Sequence, residues 1–295
     1  MPAFIIIAGL FCNRTVEDGR KTLMRVGYFL FLFLFLKVFF LFLNWLFYRR
    51  VEFDLLRTDG LPWFMMVMAW FFGITYLVRR IPWPLVLGLS LALACLAGYF
   101  DRVDGFLCLS RTIVYYPFFY LGYLLDAGEI LNKTKRWPVM LAGAIIILGF
   151  AWLCIFRLDL VWQVKPLFSG KNPFSALPVP AMGGWLRLLY YLPVVLFIFS
   201  LIALTPDREL PITGSGQRTL QVYCLHFIAI YTLRVTEAFL WLAENLPLVW
   251  REIAFNLVAL CITIFFSLPF WTMPLSSLKQ LIMKRRVKPA MRTVR

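Results

Sequence analysis

Residues 111–125 read RTIVYYPFFYLGYLL, a stretch in which Arg111 is the only charged side chain. Together with the residues before it, this stretch forms an apolar run from about 105 to 125, and about 20 residues suffice for a helix to cross a bilayer. Pro117 lies inside the run, where its missing N–H frees a carbonyl and kinks a helix. The stretch therefore predicts a membrane-spanning helix that can make room for a ligand.

The overall composition places the whole chain in the same class. Hydrophobic residues make up 62% of the 295 residues, charged residues 15%, and the mean hydropathy is +0.80, values outside the range of soluble domains. No stretch alternates as the strands of a membrane barrel do. The six cysteines form no C-x-x-C pair and predict neither a disulfide framework nor a metal site. The net charge of +15 is scattered through short loops and the C-terminus, which favours a role in topology over nucleic-acid binding.

These patterns predict an all-α, polytopic transmembrane bundle. An apolar run at residues 3–11 is too short to cross a bilayer and is expected to form half a span. The short connections predict a single domain over 1–278, followed by a basic cytoplasmic tail, 279–295. About eight full spans are expected after the leading half, at 26–48, 62–78, 83–100, 105–125, 138–156, 184–204, 219–241 and 252–271.

The distribution of Lys and Arg predicts the orientation of these spans. Of the 30 basic residues, 18 fall on one side of the predicted bundle and 8 on the other. Cytoplasmic loops carry the excess of Lys and Arg, so the side with 18, which includes the C-terminus, is expected to be cytoplasmic. The predicted location is the plasma membrane, with membrane lipid as a partner.

Residues 214–227, GSGQRTLQVYCLHF, contain the only histidine of the chain, His226. Any reaction that requires an imidazole must use it. One interpretation is structural, with His226 hydrogen-bonded to a neighbouring helix. The other places it in a polar cavity, because an ionisable group at membrane depth is costly unless it is paired or faces water.

Other charged residues inside the predicted spans have simpler explanations. Arg234 and Glu237 are three residues apart and are expected to pair on one helix face. Arg187, near the start of its span, is expected to extend its head group outward to the interface. Arg111 has no such explanation, and its guanidinium is suited to binding phosphate or carboxylate.

The connection from 157 to 183 is the longest in the chain and contains four prolines. Its composition suits an irregular cap over the bundle, and such loops often cover binding sites. A plain surface connection is an equally good interpretation.

Four stretches resemble a known family in the same order along the chain. These are MPAFIIIAGLF at the start, LPWFMMVMAW at 61–70, RTIVYYPFFYLGYLL at 111–125 and GSGQRTLQVYCLH at 214–226. Together they resemble the acyltransferase 3 family of integral membrane O-acyltransferases, nearest to its fucose 4-O-acetylase-like branch, over roughly residues 1–271. The resemblance implies ten spans and transfer of an acyl group, usually acetyl from cytoplasmic acetyl-CoA, to a hydroxyl of a cell-envelope glycan or its lipid-linked precursor.

The resemblance also implies which residues act, with no bound cofactor and with acyl-CoA as co-substrate. His226 and Arg111 are the implied catalytic residues. Arg218 is implied to contact CoA, while Tyr116, Tyr123 and Tyr223 are implied to line the acyl-transfer path.

The chain departs from the family at its start. Members carry, in their first helix, a basic residue followed about ten positions later by a histidine, and this sequence has no counterpart. It is expected either to be part of a longer protein or to be an inactive, truncated subunit. A transporter or flippase of lipid-linked sugars is the other function class that buried Arg and Tyr residues would suit.

Overall fold

The computed structural model of the protein describes residues 1–49, 60, 62–100, 107–208, 210 and 213–271. Every element in these ranges is helical, as the sequence predicts. The predicted basic tail, 279–295, lies outside the described residues. The α-helices are α1 Pro2–Leu10, α2 Asn13–Val16, α3 Gly19–Tyr48, α4 Trp63–Val78, α5 Trp83–Ala97, α6 Leu109–Leu124, α7 Ala127–Thr134, α8 Trp137–Phe156, α9 Leu158–Ser169, α10 Gly183–Leu204, α11 Thr213–Gly216, α12 Thr219–Val235, α13 Ala238–Asn245 and α14 Leu248–Ser267.

The chain divides by its internal packing into two compact units. Unit 1 comprises Met1–Phe35 and Asp54–Pro206, and unit 2 comprises Leu36–Phe53 and Asp207–Arg295. The sequence predicts one domain because no long linker interrupts it. The division into two units depends on contacts between residues that are far apart in the sequence. Amino-acid composition does not predict such contacts.

Helix α6 is the centre of unit 1. It packs against α1, α4 and α5, and its residues from Val114 to Tyr120 are all buried. Pro117 leaves the carbonyl four residues before it without its usual helical donor. The Tyr191 hydroxyl of α10 donates to the neighbouring Val114 carbonyl at 2.6 Å, so a second helix supplies hydrogen bonding beside the proline.

Helices α1 and α6 cross with their backbones in contact. A Cβ atom on Gly9 would lie 2.1 Å from the Phe119 carbonyl oxygen, and one on Gly122 would lie 2.1 Å from the Ile6 carbonyl oxygen. Any larger side chain at either glycine would force the two backbones apart. The nine-residue α1, predicted as half a span, is held to unit 1 by this crossing, with Ile5 and Ile6 buried.

Four helical segments are long and apolar enough to cross a membrane: Gly19–Tyr48, Trp137–Phe156, Pro180–Leu204 and Val249–Ser267. A fifth is obtained if α12 and α13, bent by 63° at their junction, form one span. Helices also occur at the other predicted spans, but α4, α5 and α6 have only 15 to 16 residues. At 1.5 Å per residue they measure about 23 Å, against about 30 Å of hydrocarbon.

The surface of α8 is typical of a helix that faces lipid. Gly143 is its one buried residue, while large apolar side chains such as Leu148, Trp152 and Ile155 are exposed. Exposure of an apolar surface of this length is strongly unfavourable in water but not in lipid. The exposed apolar helices identify the chain as a helical membrane protein.

Two connections predicted as loops contain helices. Within 126–137, Asp126 caps α7 by accepting the Glu129 N–H at 2.9 Å, a side-chain cap that favours helix initiation. Within 157–183, α9 is followed by 3-10 turns at Phe174–Ala176 and Pro180–Met182. The prediction of an irregular segment was therefore wrong for its first half.

In unit 2, α12 packs against α13 and α14. The end of α3 joins it through aromatic side chains: the Phe40 and Phe227 ring centroids are 4.9 Å apart. The Tyr231 hydroxyl also donates to the Asn44 side-chain oxygen at 2.7 Å.

Replacing Gly9 with Ala is expected to separate α1 from α6 and to lower the free energy of unfolding by about 1–3 kcal/mol, the usual cost of overpacking. Gly149→Ala in α8 is the matched control, because a Cβ there meets no atom within 4 Å. Thermal unfolding of the two variants in the same detergent measures the difference. Equal midpoints would show that the crossing tolerates a methyl group.

Asp18 caps the start of α3 and gives it a pH dependence. Its carboxylate accepts the N–H groups of Lys21 and Arg20 at 3.3 and 2.9 Å, and the Lys21 ammonium lies 3.4 Å away. These contacts, the Lys21 N–H first, lower the pKa of Asp18 below its ordinary value. The cap is therefore complete above the unfolded-state pKa and is lost as the pH falls through the lower, folded-state pKa.

We expect amide exchange at Arg20 and Lys21 to be slow at pH 6 and to accelerate as the pH falls through the folded-state pKa of Asp18. In Asp18→Asn the exchange is expected to lose this pH response. Hydrogen exchange corrected for its intrinsic pH dependence measures both. The same pH response in the Asn variant would assign it to another group.

Candidate functional site

The predicted site residues are divided between the two units. Arg111, Tyr116 and Tyr123 lie on α6 in unit 1, and Arg218, Tyr223 and His226 lie at or near the start of α12 in unit 2. Each group is described by its own surroundings.

Arg111 lies near the start of α6 and is only partly exposed. Its guanidinium carbon lies 4.6 Å from the centre of the Trp63 ring, close enough for a cation–π interaction. Its Nη1 atom is buried and has no hydrogen-bond partner among the described residues. The Arg111 guanidinium therefore has a buried N–H donor that no acceptor among the described residues binds.

Arg187 was expected to extend to the interface, and this prediction is wrong. The residue is 1% exposed, among the most deeply buried large side chains of the described part of the chain. Its Nη1 donates to the Ala94 carbonyl of α5 at 3.1 Å, and its guanidinium carbon lies 4.3 Å from the Phe174 ring centre. The Nε atom is buried without a partner among the described residues.

The position of Arg187 along α10 explains its burial. Tyr190 and Tyr191, three and four residues later, lie on the same helix face and are also buried. A basic residue followed at this spacing by two tyrosines was the available sequence signal for an inward-facing site.

Residues 170–183 close over this region and are called the cap segment here. Its main anchor is Phe174, whose ring is so close to Gly98 and Gly183 that Cβ atoms there would lie 2.4 and 2.2 Å from it. The Phe174 N–H donates to the Gly98 carbonyl at 2.7 Å. Phe174 thus fixes the cap segment to the end of α5 and the start of α10.

Further hydrogen bonds hold both ends of the cap segment. The Ser110 hydroxyl donates to the Gly170 carbonyl at 2.9 Å. The Tyr99 hydroxyl donates to the Ala181 carbonyl at 2.8 Å and accepts the Gly184 N–H at 3.2 Å. The prediction that this connection caps the bundle is confirmed for residues 170–183.

Tyr116 and Tyr123 lie on a different part of α6 from Arg111. The Tyr116 hydroxyl is buried and lies 3.2 Å from the Thr75 hydroxyl of α4. Tyr120 stacks on Tyr116 and is followed by Tyr123, with ring centroids 5.8 and 5.7 Å apart. These three rings form a row along α6.

His226 is half-buried and hydrogen-bonds within its own helix. Its Nδ1 atom lies 2.9 Å from the Val222 carbonyl oxygen. Because a carbonyl only accepts, Nδ1 carries the proton in this contact, and in the neutral form of the imidazole Nε2 is then the accepting nitrogen. The Tyr223 and Phe227 rings are its aromatic neighbours, at 6.4 and 4.6 Å. A hydrogen bond to a neighbouring helix, one of the two interpretations of His226 from the sequence, does not occur among the described residues.

Arg218, implied to contact CoA, has a structural use at the end of α14. Its Nη1 donates to the Ser267 carbonyl at 3.0 Å. Gln221, one turn later, donates to the carbonyls of Phe266 and Leu268 at 2.7 and 3.0 Å. The final carbonyls of a helix lack partners within it, and these two side chains supply them.

Arg234 and Glu237, both described, form no ion pair, so that prediction is wrong. Helix α12 ends at Val235, and Glu237 adopts a left-handed backbone with φ 55° before α13 begins. The helical spacing that would align the two side chains is interrupted between them. An open cavity of about 490 Å³, lined by Glu237, Trp241 and Glu244 among others, lies at this break.

Unit 1 thus brings together two arginines, several tyrosines and a cap segment, while unit 2 holds the imidazole. No family model, curated protein or solved structure matches this chain. Its function is therefore inferred from its own residues and their geometry.

Replacing Phe174 with Ala is expected to release the cap segment and to lower the free energy of unfolding by about 3–5 kcal/mol, the usual cost of removing a buried Phe. Cleavage within 170–183 by a non-specific protease measures the release. Phe156→Ala is the control, since Phe156 is 65% exposed. Equal cleavage rates in the two variants would contradict the role of Phe174 as anchor.

Proposed function

We propose that the protein is a membrane O-acyltransferase. It moves an acyl group, in the simplest case acetyl, from cytoplasmic acyl-CoA to a hydroxyl of a cell-envelope or exported glycan or its lipid-linked precursor. The observation that carries the proposal is the hydrogen bond between Nδ1 of His226 and the Val222 carbonyl. The Nε2 atom of His226 is thereby presented as a base on a membrane helix.

The reaction needs one base and donors for an oxyanion. As the acceptor hydroxyl oxygen attacks the thioester carbon, Nε2 of His226 takes the hydroxyl proton. The tetrahedral intermediate carries its negative charge on the former carbonyl oxygen, which arginine or tyrosine donors stabilise. Collapse of the intermediate breaks the carbon–sulfur bond, and the CoA thiolate recovers the proton from the imidazolium.

The remaining residues take roles that follow the resemblance. Arg111, with its buried unpartnered Nη1, is proposed to bind an anionic group or to polarise the thioester. Arg218 is proposed to contact CoA with the donors that Ser267 does not occupy, while Tyr116, Tyr123 and Tyr223 line the path.

The same proposal includes the topology. The eight predicted spans after the leading half are assigned to the plasma membrane with a cytoplasmic C-terminus, as part of a ten-span arrangement. The excess of Lys and Arg on one side supports this orientation.

A transporter or flippase of lipid-linked sugars is the second candidate, because one observation favours it. Helices α12 and α13 are bent by 63° around Glu237, where the open cavity lies. Broken helices with polar groups at the break form substrate sites in many transporters. This function predicts no dependence on acyl-CoA.

For the acyltransferase, His226→Gln is expected to lower the rate of acyl transfer by about 10²- to 10⁴-fold, the usual contribution of a positioned base. The assay follows labelled acetyl from acetyl-CoA into the glycan fraction of membranes that contain the protein expressed from its complete reading frame. Thr232→Val, six residues further along α12, is the matched control and is expected to keep the full rate.

An unchanged rate in His226→Gln would exclude the imidazole as base. Absence of acetyl transfer by the unmodified protein, with uptake of a lipid-linked sugar into vesicles, would favour the transporter. Absence of both activities would favour an inactive acyltransferase-like subunit.

A further inference from the structure

Two arginines of unit 1 lie near the cap segment, each covered by an aromatic ring. Arg187 is covered by the Phe174 ring, and Arg111 by the Trp63 ring. Tyr115 links their surroundings: its ring centroid is 6.0 Å from that of Trp63, and a Cβ on Gly170 would lie 3.1 Å from it. Tyr115 therefore adjoins both the ring that covers Arg111 and the first residue of the cap segment, whose Phe174 covers Arg187. The two positive charges thus share one buried neighbourhood.

This neighbourhood has no negative charge to balance them within the described ranges. No carboxylate of the described residues lies within 4 Å of either guanidinium. The nearby Tyr191 hydroxyl is committed to the Val114 carbonyl, and Arg187 makes one hydrogen bond, to Ala94. Removing a guanidinium from water is costly unless charge and hydrogen-bond partners replace the water, so a bound anion would supply the counter-charge that the described residues do not provide here.

We propose that Arg187 and Arg111 form a binding site for an oxyanion, a phosphate or a carboxylate, beneath the cap segment. The Nε atom of Arg187 and the Nη1 atom of Arg111 are the buried donors that remain unused. A guanidinium presents its N–H groups in a planar fork that matches two oxygens of a phosphate or carboxylate, which chloride does not offer.

Entry to the site requires movement of Phe174. Its ring lies over the Arg187 guanidinium and is held between Gly98 and Gly183. Movement of this ring away from the two glycines would uncover the Arg187 donors. The hydrogen bonds from Ser110 to Gly170 and from Tyr99 to Ala181 would keep the ends of the cap segment in place. The cap segment therefore serves as a lid that the Phe174 ring holds closed.

Binding of the oxyanion does not depend on acyl transfer. Only its assignment as the negatively charged group of the acceptor, such as a uronic acid or a lipid-linked phosphate, rests on the proposed function. A binding measurement tests the site separately from the acetylation assay, so either proposal can fail alone.

The test is thermal unfolding of the purified full chain in a non-ionic detergent with sodium phosphate, sodium acetate or sodium chloride at equal ionic strength. Phosphate or acetate is expected to raise the midpoint by about 3 °C or more above chloride, because a ligand that binds only the folded state stabilises it. A shift produced by inorganic phosphate or acetate indicates a free anion. A shift produced only by micelles that contain phosphatidylglycerol indicates a lipid phosphate.

Variants connect the shift to the two arginines. Arg187→Gln is expected to abolish it, and Arg187→Lys, which keeps the charge but loses the fork, to weaken the apparent Kd by about tenfold or more. Arg111→Gln is expected to weaken binding while leaving a measurable shift. Arg157→Gln, an exposed arginine paired with Asp159, is the control and is expected to keep the full shift.

The unmodified protein alone can overturn the proposal, even if an Arg187 variant does not fold. No stabilisation by phosphate, acetate or phosphatidylglycerol beyond that of chloride would contradict it. If a shift then appears in the double variant Asp101→Asn and Asp104→Asn, an acidic residue from the sequence between α5 and α6 is the counter-charge instead. A full shift in Arg111→Gln would overturn the two-arginine form of the site.

Discussion

A guanidinium that is removed from water needs hydrogen-bond or charge partners. Three segments of unit 1 form the surroundings of the Arg187 guanidinium. Helix α5 supplies the Ala94 carbonyl, the cap segment supplies the face of the Phe174 ring, and α10 positions the side chain itself. Gly98 and Gly183 are needed because Phe174 can reach the arginine only where no Cβ stands in its way. The cap segment, the two glycines and the burial of Arg187 therefore depend on one another.

Helix α6 connects this arrangement to the rest of unit 1. A proline inside it weakens its own hydrogen bonding, and Tyr191 of α10 donates to the Val114 carbonyl beside the gap. On another face, Gly122 admits the backbone of α1. Because both contacts need close approach to the α6 backbone, each tolerates little change in side-chain size. Neighbouring helices thus support α6 on both sides of its internal proline.

The sequence was sufficient for the helical class and for the approximate positions of the apolar helices, because apolar runs bounded by prolines and basic residues encode them directly. For 157–183 it left a cap over the bundle and a plain surface connection as equal interpretations, and residues 170–183 form a cap. It failed where a prediction needed the direction of a side chain. Arg187 is near a helix start, which suggested an outward position, but Tyr190 and Tyr191 on the same face turn that face inward. Arg234 and Glu237 have helical spacing, but the helix ends between them.

The arginines of the chain show how a structural role differs from a binding role. Arg218 and Gln221 both donate to carbonyls at the end of α14. The last carbonyls of a helix have no partner within it, so the hydrogen bond of Arg218 has a structural role. Arg187 is more deeply buried, and among the described residues it also makes a single hydrogen bond, to the Ala94 carbonyl in the last turn of α5. Burial raises the cost of a charge, so a purely structural Arg187 should have more hydrogen-bond partners than Arg218, yet among the described residues each of them donates to one carbonyl. A bound anion, as proposed for this site, would supply the further partner that the described residues do not provide.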